Sequence, residues 1–437
     1  MLSQEMIKHK PILATLTGAG YKAFFVGGCV RDSLLGRPCH DVDITTSATP
    51  DQVAALFPES KHVGAHFGVT IVRLGEMEAE VATFRTDGCY SDSRRPDSVQ
   101  FTTDVVEDVR RRDFTINALL MDITGEVFDY VDGMYDLLRK QQICAIHNPY
   151  MRFKEDALRM LRAIRFAARL GFPIEAETFK AIQKHAPTIT KVSGERVRDE
   201  LSKILTSGRA VQGLLDLDAT GLLREILPEV AGLHACEQNA KHHPEGDVFK
   251  HTMKLLEQLE PGCSLTLALA ALLHDIGKPV TAGVKDDLPT FYGHEEQSAL
   301  MARVVLRRLK FPSDVIDTVV DHCAQHMIFR YTVAMRKAKL LRFLRQPNFA
   351  ELLDLHKLDA TAGSGNLDHH TFCVQTLAEI PCEVLRPVRF VTGTDLIAMG
   401  FKPGPKFKEI LDALETEQLE GRIPGKEEAF AFVAGRA

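Results

Sequence analysis

Two aspartates separated by one residue, Asp41 and Asp43, are the first residues along the chain whose spacing suggests chemistry. On a β-strand, residues two apart point to the same face. Two carboxylates held side by side repel each other unless a divalent cation bridges them. Mg²⁺ favours carboxylate oxygens together with substrate phosphates. The pair therefore predicts a Mg²⁺ site, although solvated pairs at sheet edges have the same spacing.

A glycine pair, Gly27 and Gly28, lies a short distance upstream and is followed by Arg31. Paired glycines after a strand let backbone N–H groups approach a phosphate, and an arginine adds positive charge. The short spacing from Gly28 to Asp41 would place a triphosphate and a metal in one cleft. A tight turn without a ligand is the alternative interpretation.

A third carboxylate is usual where two ions activate an attacking hydroxyl and steady a leaving pyrophosphate. Glu80, on a predicted hairpin, is the first candidate, and Asp113, in the segment RRRDF, is the second. The sequence therefore predicts a catalytic group drawn from Asp41, Asp43, Glu80 and Asp113.

A second chemical group comes later in the chain and consists of His251, the adjacent His274 and Asp275, and Asp359. Imidazole and carboxylate ligands suit a hydrolytic transition metal with open positions for water. An adjacent His-Asp inside an apolar helix is costly to bury without a partner. Three further histidines are candidates for extra ligands or phosphate contacts: His294, His322 and His326.

The catalytic group of Asp41, Asp43, Glu80 and Asp113 needs β-strands to position it. The apolar run 23–26, which stops at the glycine pair, predicts a buried strand that enters a turn. Alternation over residues 41–44 predicts a second strand, and residues 70–74 and 79–84 predict a hairpin. Residues 1–143 are therefore expected to alternate between helix and strand.

Strand signals stop at about residue 145, and helix formers dominate from there. Residues 153–170 predict one helix, on which Asp156 and Arg159 share a face because they are three apart. An ordinary surface ion pair is the alternative interpretation of these two residues. Further helices are predicted near 176–186, 194–206, 209–226, between 247 and 360, and over 407–417.

Composition narrows the possible classes of protein. A chain of 437 residues is expected to form two to four domains. The net charge of −6 argues against a non-specific nucleic-acid binder. Residues 151–210, however, hold 13 Lys and Arg against 7 Asp and Glu, which suits an RNA partner or a solvated helix face. No apolar run approaches a membrane span and no signal peptide is recognisable, so a cytoplasmic protein is expected.

Five segments occur in the order seen in class II tRNA nucleotidyltransferases and bacterial poly(A) polymerases, and the chain resembles that family over almost its whole length. The segments are GGCVRDSLLGRPCHDVDI, RRRDFTINAL, FDYVDGMYDLL, KEDALRMLRAIRFAARL and GERVRDELSKIL. The tail, from GTDLIAMGF onwards, is similar to that of bacterial CCA-adding members. The resemblance implies template-independent addition of C, C and A to the 3′ end of tRNA, with CTP and ATP as substrates and Mg²⁺ as cofactor.

The resemblance also implies roles for individual residues in the head. Asp41 and Asp43 would hold the catalytic Mg²⁺ ions. Arg111, Arg112 and Asp113 would contact the triphosphate and ribose.

Base reading would fall to Asp156 and Arg159 in this family. A carboxylate accepts and a guanidinium donates, so together they can imitate a Watson–Crick edge. Three arginines continue roughly the same face and would reach RNA phosphate, or would only be solvated: Arg162, Arg165 and Arg169.

The histidine–aspartate group resembles that of HD-superfamily phosphohydrolases, a domain that some CCA-adding enzymes carry. The resemblance implies His251, His274, Asp275 and Asp359 as ligands of a divalent transition metal, and phosphodiesterase or phosphatase activity. A degenerate helical scaffold is the alternative.

The implied architecture is an α+β head of the polymerase β-like nucleotidyltransferase kind, followed by all-α domains. The expected borders are a head over 1–143, a helical neck over 144–235, an HD body over 236–362 and a helical tail over 363–437.

Residues 86–98 are rich in turn formers and predict a surface loop, although Ser93 stands where the family leads us to expect glycine. In the family, a loop here helps the site switch from C to A, so its presence favours A addition. Three alternatives to full CCA addition stay open: an enzyme that adds only the terminal A, a poly(A) polymerase, and an HD phosphohydrolase whose N-terminal region only grips RNA.

Overall fold

The computed structural model describes residues 2–39, 41–62, 68–88, 98–239, 243–244 and 246–436. The chain forms two compact units. The first unit comprises Met1–Ala231, Glu260–Gly262 and Arg308–Phe311, and the second comprises Gly232–Leu259, Cys263–Arg307 and Pro312–Ala437. The four predicted domains divide the chain more finely than these two units, and those borders stay a prediction.

A seven-stranded mixed sheet with the strand order β3-β4-β5-β2-β1-β8-β9 forms the centre of the head. Its strands are β1 (Ala23–Val26), β2 (Asp43–Thr46), β3 (Lys61–His62), β4 (Val69–Leu74), β5 (Met77–Thr83), β8 (Leu120–Met121) and β9 (Val127–Phe128). A separate pair consists of β6 (Arg85–Asp87) and β7 (Val99–Phe101). The strands expected at 23–26, 70–74 and 79–84 are present to within a few residues. The strand expected over 41–44 instead runs from Asp43 to Thr46, so Asp41 precedes it and the two aspartates do not share a strand face.

Strand β2 lies between β1 and β5, which run in opposite directions to each other. It pairs antiparallel with β1 and parallel with β5. Phe25 and Ile44, paired across β1 and β2, are both fully buried. Because these short strands are largely buried in the middle of the sheet, the carboxylates at their ends are held in a defined register.

Helices make up most of the rest of the first unit. They are α1 (Gln4–Gly18), α2 (Gly28–Leu34), α3 (Pro50–Leu56), α4 (Val105–Arg110), α5 (Gly133–Tyr135), α6 (Pro149–Glu155), α7 (Leu158–Leu170), α8 (Ala176–His185), α9 (Gly194–Leu205), α10 (Ala210–Ala219), α11 (Leu222–Ile226) and α12 (Pro228–Ala231). A 3₁₀ turn at Thr115–Asn117 leads into β8.

The prediction of one continuous helix over 153–170 is wrong. Helix α6 ends at Glu155 and α7 begins at Leu158, because Asp156 adopts an extended conformation with φ −139° and ψ 106°. The Asp156 carboxylate accepts a hydrogen bond from the Leu158 N–H at 3.1 Å, so it caps the second helix instead of continuing the first. Asp156 and Arg159 therefore do not share one helix face.

The second unit is mainly helical. Its helices are α13 (Val248–Glu257), α14 (Leu265–Leu273), α15 (Lys278–Thr281), α16 (His294–Arg308), α17 (Ser313–Gln325), α18 (Lys337–Leu344), α19 (Phe349–Ala362), α20 (Asp368–Glu379), α21 (Cys382–Leu385), α22 (Gly393–Ala398), α23 (Pro405–Leu419) and α24 (Lys426–Ala434). In the part of the chain that the structure describes, no helix has both the length and the apolar character needed to cross a bilayer.

One hairpin in this unit was not expected from the sequence. Strands β10 (Gly283–Lys285) and β11 (Leu288–Thr290) pair antiparallel around Asp286 and Asp287, whose φ angles of 52° and 60° are those of a two-residue hairpin turn. The residues of β10 are all exposed, so the strand has no alternation between apolar and polar residues for a sequence pattern to detect.

The centre of the expected surface loop over 86–98, residues 89–97 including Ser93, lies outside the described residues. The flanking strands β6 and β7 pair antiparallel, with Asp87 opposite Val99.

Close packing of α10 against α9 gives a testable prediction. A Cβ at Gly213 would lie 2.4 Å from Cγ2 of the buried, β-branched Ile204, whose rotamer is stiff in a helix. We expect Gly213→Ala to lower the free energy of unfolding by about 1–3 kcal/mol, because overpacking outweighs the gain of about 1 kcal/mol in helix propensity. Gly18→Ala, at a helical site with nothing within 4 Å, is the matched control and should be neutral or stabilising. Urea unfolding followed by circular dichroism measures both, and equal midpoints would contradict the packing argument.

Candidate active site and metal-binding groups

The sheet register brings two of the predicted catalytic carboxylates together. Asp43 begins β2 and is paired with Glu80 on β5 in the parallel register. Paired residues of adjacent strands place their side chains on the same face. Asp41 is exposed and precedes the strand by two residues. Asp41, Asp43 and Glu80 form what we call the carboxylate group.

The electrostatics of the carboxylate group favour a cation. Burial, followed by the negative charges of Glu80 and Asp41, raises the pKa of Asp43 against the opposing effect of Arg112. Among the described residues, no ion pair engages the side chain of any of the three acids. These acids are oxygen donors of the kind that Mg²⁺ prefers, so the group fits a divalent ion.

The glycine pair lies directly against this group. Gly27 follows β1 with φ 77°, and a Cβ there would stand 3.7 Å from Oδ2 of Asp43. Gly28 then begins α2. Close approach of the backbone to the carboxylate, together with a positive φ, explains why glycine is needed at position 27.

Arg31 does not face outward, and its predicted phosphate contact stays a prediction. Its side chain is 2% exposed, and its guanidinium donates to Asp32 Oδ1 at 2.8 Å and to Asn117 Oδ1 at 2.6 Å. Through these contacts the guanidinium links α2 to the 3₁₀ turn.

Asp108 was missed by the sequence reasoning, although it organises two predicted phosphate contacts. It is fully buried, and its carboxylate accepts from Arg111 at 2.6 and 2.9 Å and from Arg112 at 3.1 Å. The guanidinium groups hold the pKa of Asp108 below its ordinary value, although burial alone would raise it. Its i,i+3 and i,i+4 spacing from the arginines was a signal that could have identified it.

In the structure, Asp113 is not part of the carboxylate group, because both of its oxygens have other partners. Oδ1 accepts from the Phe114 N–H at 2.8 Å, and Oδ2 accepts from Arg162 Nε at 2.7 Å. Burial raises the pKa of this carboxyl, but Arg162 outweighs burial and the net direction is downward. With both oxygens engaged, Asp113 is placed to position Arg162.

The predicted base-reading residues are each held by a different partner. Asp156 accepts two hydrogen bonds from Arg196, at 2.8 and 3.2 Å. Arg159 donates to Glu155 at 2.6 Å and to the backbone carbonyl of Arg111 at 3.1 Å. Asp156 and Arg159 therefore do not form the ordinary ion pair with each other. Their actual partners, Arg196 for Asp156 and Glu155 for Arg159, could not be identified from the spacing of the motif.

The remaining arginines of α7 also contact acids. Arg165 donates to Glu200 at 3.1 Å, and burial lowers the pKa of Arg165 to about 10. Arg169, half exposed, lies 3.1 Å from Asp32. Of these, only Arg169 presents a large exposed surface to which a phosphate could bind directly.

A second set of buried acids and histidines lies in the second unit. His251 is on α13, Asp359 is on α19, and His274 and Asp275 directly follow α14. His251 Nε2 lies 3.0 Å from Asp359 Oδ1, and His274 Nε2 lies 3.2 Å from Asp275 Oδ2. We call these four residues the first histidine group; the structure brings them together as expected, and their role as metal ligands stays a prediction.

Unpartnered buried atoms show that this group fits a metal ion. His274 Nε2 and both carboxylate oxygens of Asp275 are buried without a hydrogen-bond partner, although Lys278 Nζ lies 2.6 Å from Asp275 Oδ2. Uncompensated buried polar atoms are costly, and a divalent cation would satisfy them. Lys278, three residues after Asp275, had been given no role from the sequence.

The three additional histidines divide into two environments. His294 and His326 lie beside Asp275, with their Nε2 atoms 3.4 and 3.8 Å from its Oδ1. His322 instead lies 3.1 Å from Glu351. A cavity of about 640 Å³ is lined by Asp275, His294 and His326 among other residues.

Comparison with known proteins agrees with the motifs. A model of the poly(A) polymerase head domain matches residues 23–144. A model of the RNA- and SrmB-binding site of polymerase A matches 171–233, and one of tRNA nucleotidyltransferase domain 2 matches 293–433. This last match begins inside the predicted HD body.

Named relatives extend the likeness to the whole chain. A CCA-adding enzyme of Levilactobacillus brevis is 34% identical over 98% of this chain and 97% of its own length. One of Limosilactobacillus reuteri is 47% identical over 49% of this chain and 53% of its own length. The structure of the Bacillus stearothermophilus CCA-adding enzyme in complex with CTP is similar with a TM-score of 0.77 and 29% identity, covering 99% of this chain and 98% of that one. The chain belongs to the family of CCA-adding enzymes, which are tRNA nucleotidyltransferases.

Proposed function

We propose that the chain adds C, C and A to the 3′ end of tRNA from CTP and ATP, without a template, at the carboxylate group of the first unit. The observation that carries this is the parallel register that sets Glu80 beside Asp43, next to the exposed Asp41. Oxygen ligands in this number suit two Mg²⁺ ions together with substrate phosphates. Such ions supply charge neutralisation for the attacking and leaving oxygens.

The bonds made and broken follow from the substrates. The 3′ oxygen of the RNA forms a bond to the α-phosphorus of the nucleotide. The bond from that phosphorus to the bridging oxygen breaks, pyrophosphate leaves, and the hydroxyl proton passes to water. Arg111 and Arg112, both fixed by Asp108, bind phosphate oxygens; the charge of Arg112 acts on Asp43, and Asp113 positions Arg162.

Base reading at Asp156 and Arg159 is supported by how firmly each is held. Arg196 grips Asp156 with two hydrogen bonds, and Glu155 and a backbone carbonyl fix Arg159. A rigid pair of an acceptor and a donor presents hydrogen-bonding groups to an incoming base and penalises one whose edge leaves them unsatisfied. The break between α6 and α7 sets the two side chains at a helix start, where they are not bound to each other.

Full CCA addition and A-only addition differ in the RNA that each can extend. The test offers the protein two RNAs, a tRNA without its 3′ end and a tRNA ending in CC. Each RNA is incubated with CTP alone, with ATP alone and with both nucleotides. Full CCA addition requires C incorporation into the first RNA and A incorporation into the second. Extension of the second RNA alone would assign the chain to A-only addition, and a long A tract would assign it to poly(A) synthesis.

A second function, hydrolysis of phosphate esters, is favoured by the first histidine group. His251, His274, Asp275 and Asp359 are the ligands we propose for a divalent transition metal. Such an ion supplies a polarised water for attack on phosphorus. Lys278, buried beside Asp275, offers a positive charge at the same end of the cavity.

The carboxylate group gives the first prediction on activity. Asp43→Asn or Glu80→Gln should reduce nucleotide addition by at least about 100-fold, because each removes an anionic ligand from the metal site. Glu78→Gln is the matched control, since Glu78 lies on the same face of β5 but pairs with Arg73. Incorporation of labelled ATP and CTP is the measurement. An active Asp43→Asn enzyme, or equal losses for Glu78 and Glu80, would exclude this site.

Base selection gives the second prediction. Asp156→Ala or Arg159→Ala should lower incorporation of CTP and ATP and raise the share of UTP and GTP by about tenfold or more, because the complementary edge is lost. Arg196→Ala should shift selectivity in the same direction, whereas Arg198→Ala on the same helix, whose partner is Asp199, should not. Competition assays with all four nucleotides report the ratio. Unchanged selectivity in both Asp156 and Arg159 variants would place base reading elsewhere.

Separation of the two reactions gives the third prediction. His274→Ala combined with Asp275→Ala should abolish metal-dependent hydrolysis of a phosphate ester while nucleotide addition stays within about twofold, because the groups belong to different units. Asp43→Asn is the reciprocal control and should keep hydrolysis. A wild-type chain that hydrolyses neither phosphomonoesters nor phosphodiesters with any divalent metal would leave the second unit as a helical scaffold.

A further inference from the structure

The aromatic ring of Phe166, on α7, has three arginines over it. The guanidinium carbon lies 4.3 Å from the ring centroid for Arg165, 5.2 Å for Arg31 and 5.5 Å for Arg162. A cation within about 6 Å of a ring centroid is attracted by the negative face of the ring. Such contacts occur about once in 70–80 residues, so three on one ring distinguish Phe166 from an ordinary apolar side chain of the core.

A second aromatic residue fixes the plane of this ring. Phe114, which is fully buried and follows Asp113, meets Phe166 edge to face, with ring centroids 5.8 Å apart and an interplanar angle of 78°. This T-shaped arrangement is one that aromatic pairs favour. Because Phe166 is itself buried, close packing holds its ring in one orientation.

Each of the three cations also has a carboxylate partner. The pairs are Arg31 with Asp32 at 2.7 Å, Arg162 with Asp113 at 2.5 Å, and Arg165 with Glu200 at 3.1 Å. A guanidinium that contacts both a ring face and a carboxylate is restrained from two directions. The side chain of Arg162 is 34% exposed, whereas those of Arg31 and Arg165 are 2% and 12% exposed. Of the three, Arg162 is therefore the one that a ligand can reach.

The guanidinium of Arg162 keeps a donor for such a ligand. Asp113 contacts its Nε and Nη2, and Nη1 meets no acceptor within the part of the chain that the structure describes. The negative charge of Asp113 raises the pKa of Arg162, so the group stays charged at neutral pH. A ring face restrains this cation without adding negative charge, whereas a further carboxylate in its place would repel a phosphate.

We propose that Phe166 is a positioning residue for nucleotide addition, whose ring holds the Arg162 guanidinium where its free donor binds a phosphate oxygen of the incoming CTP or ATP. The inference rests on the nucleotide addition proposed above and adds a residue to the same site. Asp113 directly follows Arg112, so Arg162 is held at the segment that carries the proposed phosphate-binding arginines. Both nucleotides have the same triphosphate, so loss of the contact should affect CTP and ATP alike.

Ring fluorination tests the role of the ring face with little change of shape. Phenylalanines with one, two or three ring fluorines are placed at position 166, because each fluorine weakens the negative face. We expect the KM for CTP and for ATP to rise stepwise, to about threefold or more with three fluorines, while kcat stays within about twofold. The same series at Phe57 is the matched control and should leave KM unchanged, since that ring is also buried but has no guanidinium over it among the described residues.

A double-mutant cycle tests whether the ring acts through Arg162. Phe166→Leu keeps an apolar side chain and should raise the KM for both nucleotides by a similar factor. Most of this rise should disappear when the same change is made in an Arg162→Ala background, because the contact is then already lost. Circular dichroism confirms that each variant is folded, and the fluorinated series decides the question if the leucine variant does not fold.

The outcomes separate this inference from the proposed function. A wild type that adds nucleotides, combined with a flat fluorine series or with equal changes at Phe57, would overturn the role of Phe166 and leave nucleotide addition intact. Equal effects of Phe166→Leu with and without Arg162 would overturn it as well. A wild type that incorporates neither CTP nor ATP would overturn the proposed function, and this inference with it.

Discussion

Pairing of arginines with mostly buried carboxylates is the interaction on which the first unit depends. A buried carboxylate without a donor costs several kcal/mol, so each one must be matched. Some pairs are local, namely Arg31 with Asp32 and Arg111 and Arg112 with Asp108. Others join segments far apart in the chain: Arg31 with Asn117, Arg162 with Asp113, Arg165 with Glu200, and Arg196 with Asp156. This network ties the sheet to the helices that follow it, so it positions the groups that would contact a nucleotide.

Within such a network, acids without an arginine partner are conspicuous. Asp41, Asp43 and Glu80 are the catalytic candidates, and among the described residues no ion pair engages them. The sheet forces Asp43 and Glu80 together through the parallel pairing of β2 with β5, and burial raises the pKa of Asp43. The packing of the sheet supplies the free energy that holds these like charges together. A divalent cation would lower the repulsion between them.

In the second unit, histidines surround a buried carboxylate, that of Asp275. Backbone carbonyls hold the outer nitrogens of His274, His294 and His326, and so direct the lone pairs of the inner nitrogens toward Asp275. Arginine pairing neutralises charge in the first unit, whereas here acceptors face acceptors. Both units therefore hold polar groups that a divalent cation would satisfy, the carboxylate group in the first and the first histidine group in the second.

The sequence alone determined the spacing of Asp41 and Asp43, the glycine at position 27 and most helices and strands, because these depend on local periodicity and backbone freedom. Five ordered motifs identified the family. Only the tertiary structure decided that Glu80, not Asp113, joins Asp43, because the choice rests on strand register and on the partner that Arg162 finds. The pairing of Asp156 with Arg196 and the position of Asp275 among histidines were likewise decided by residues distant in sequence, since capture of a side chain by a remote partner leaves no periodic signal.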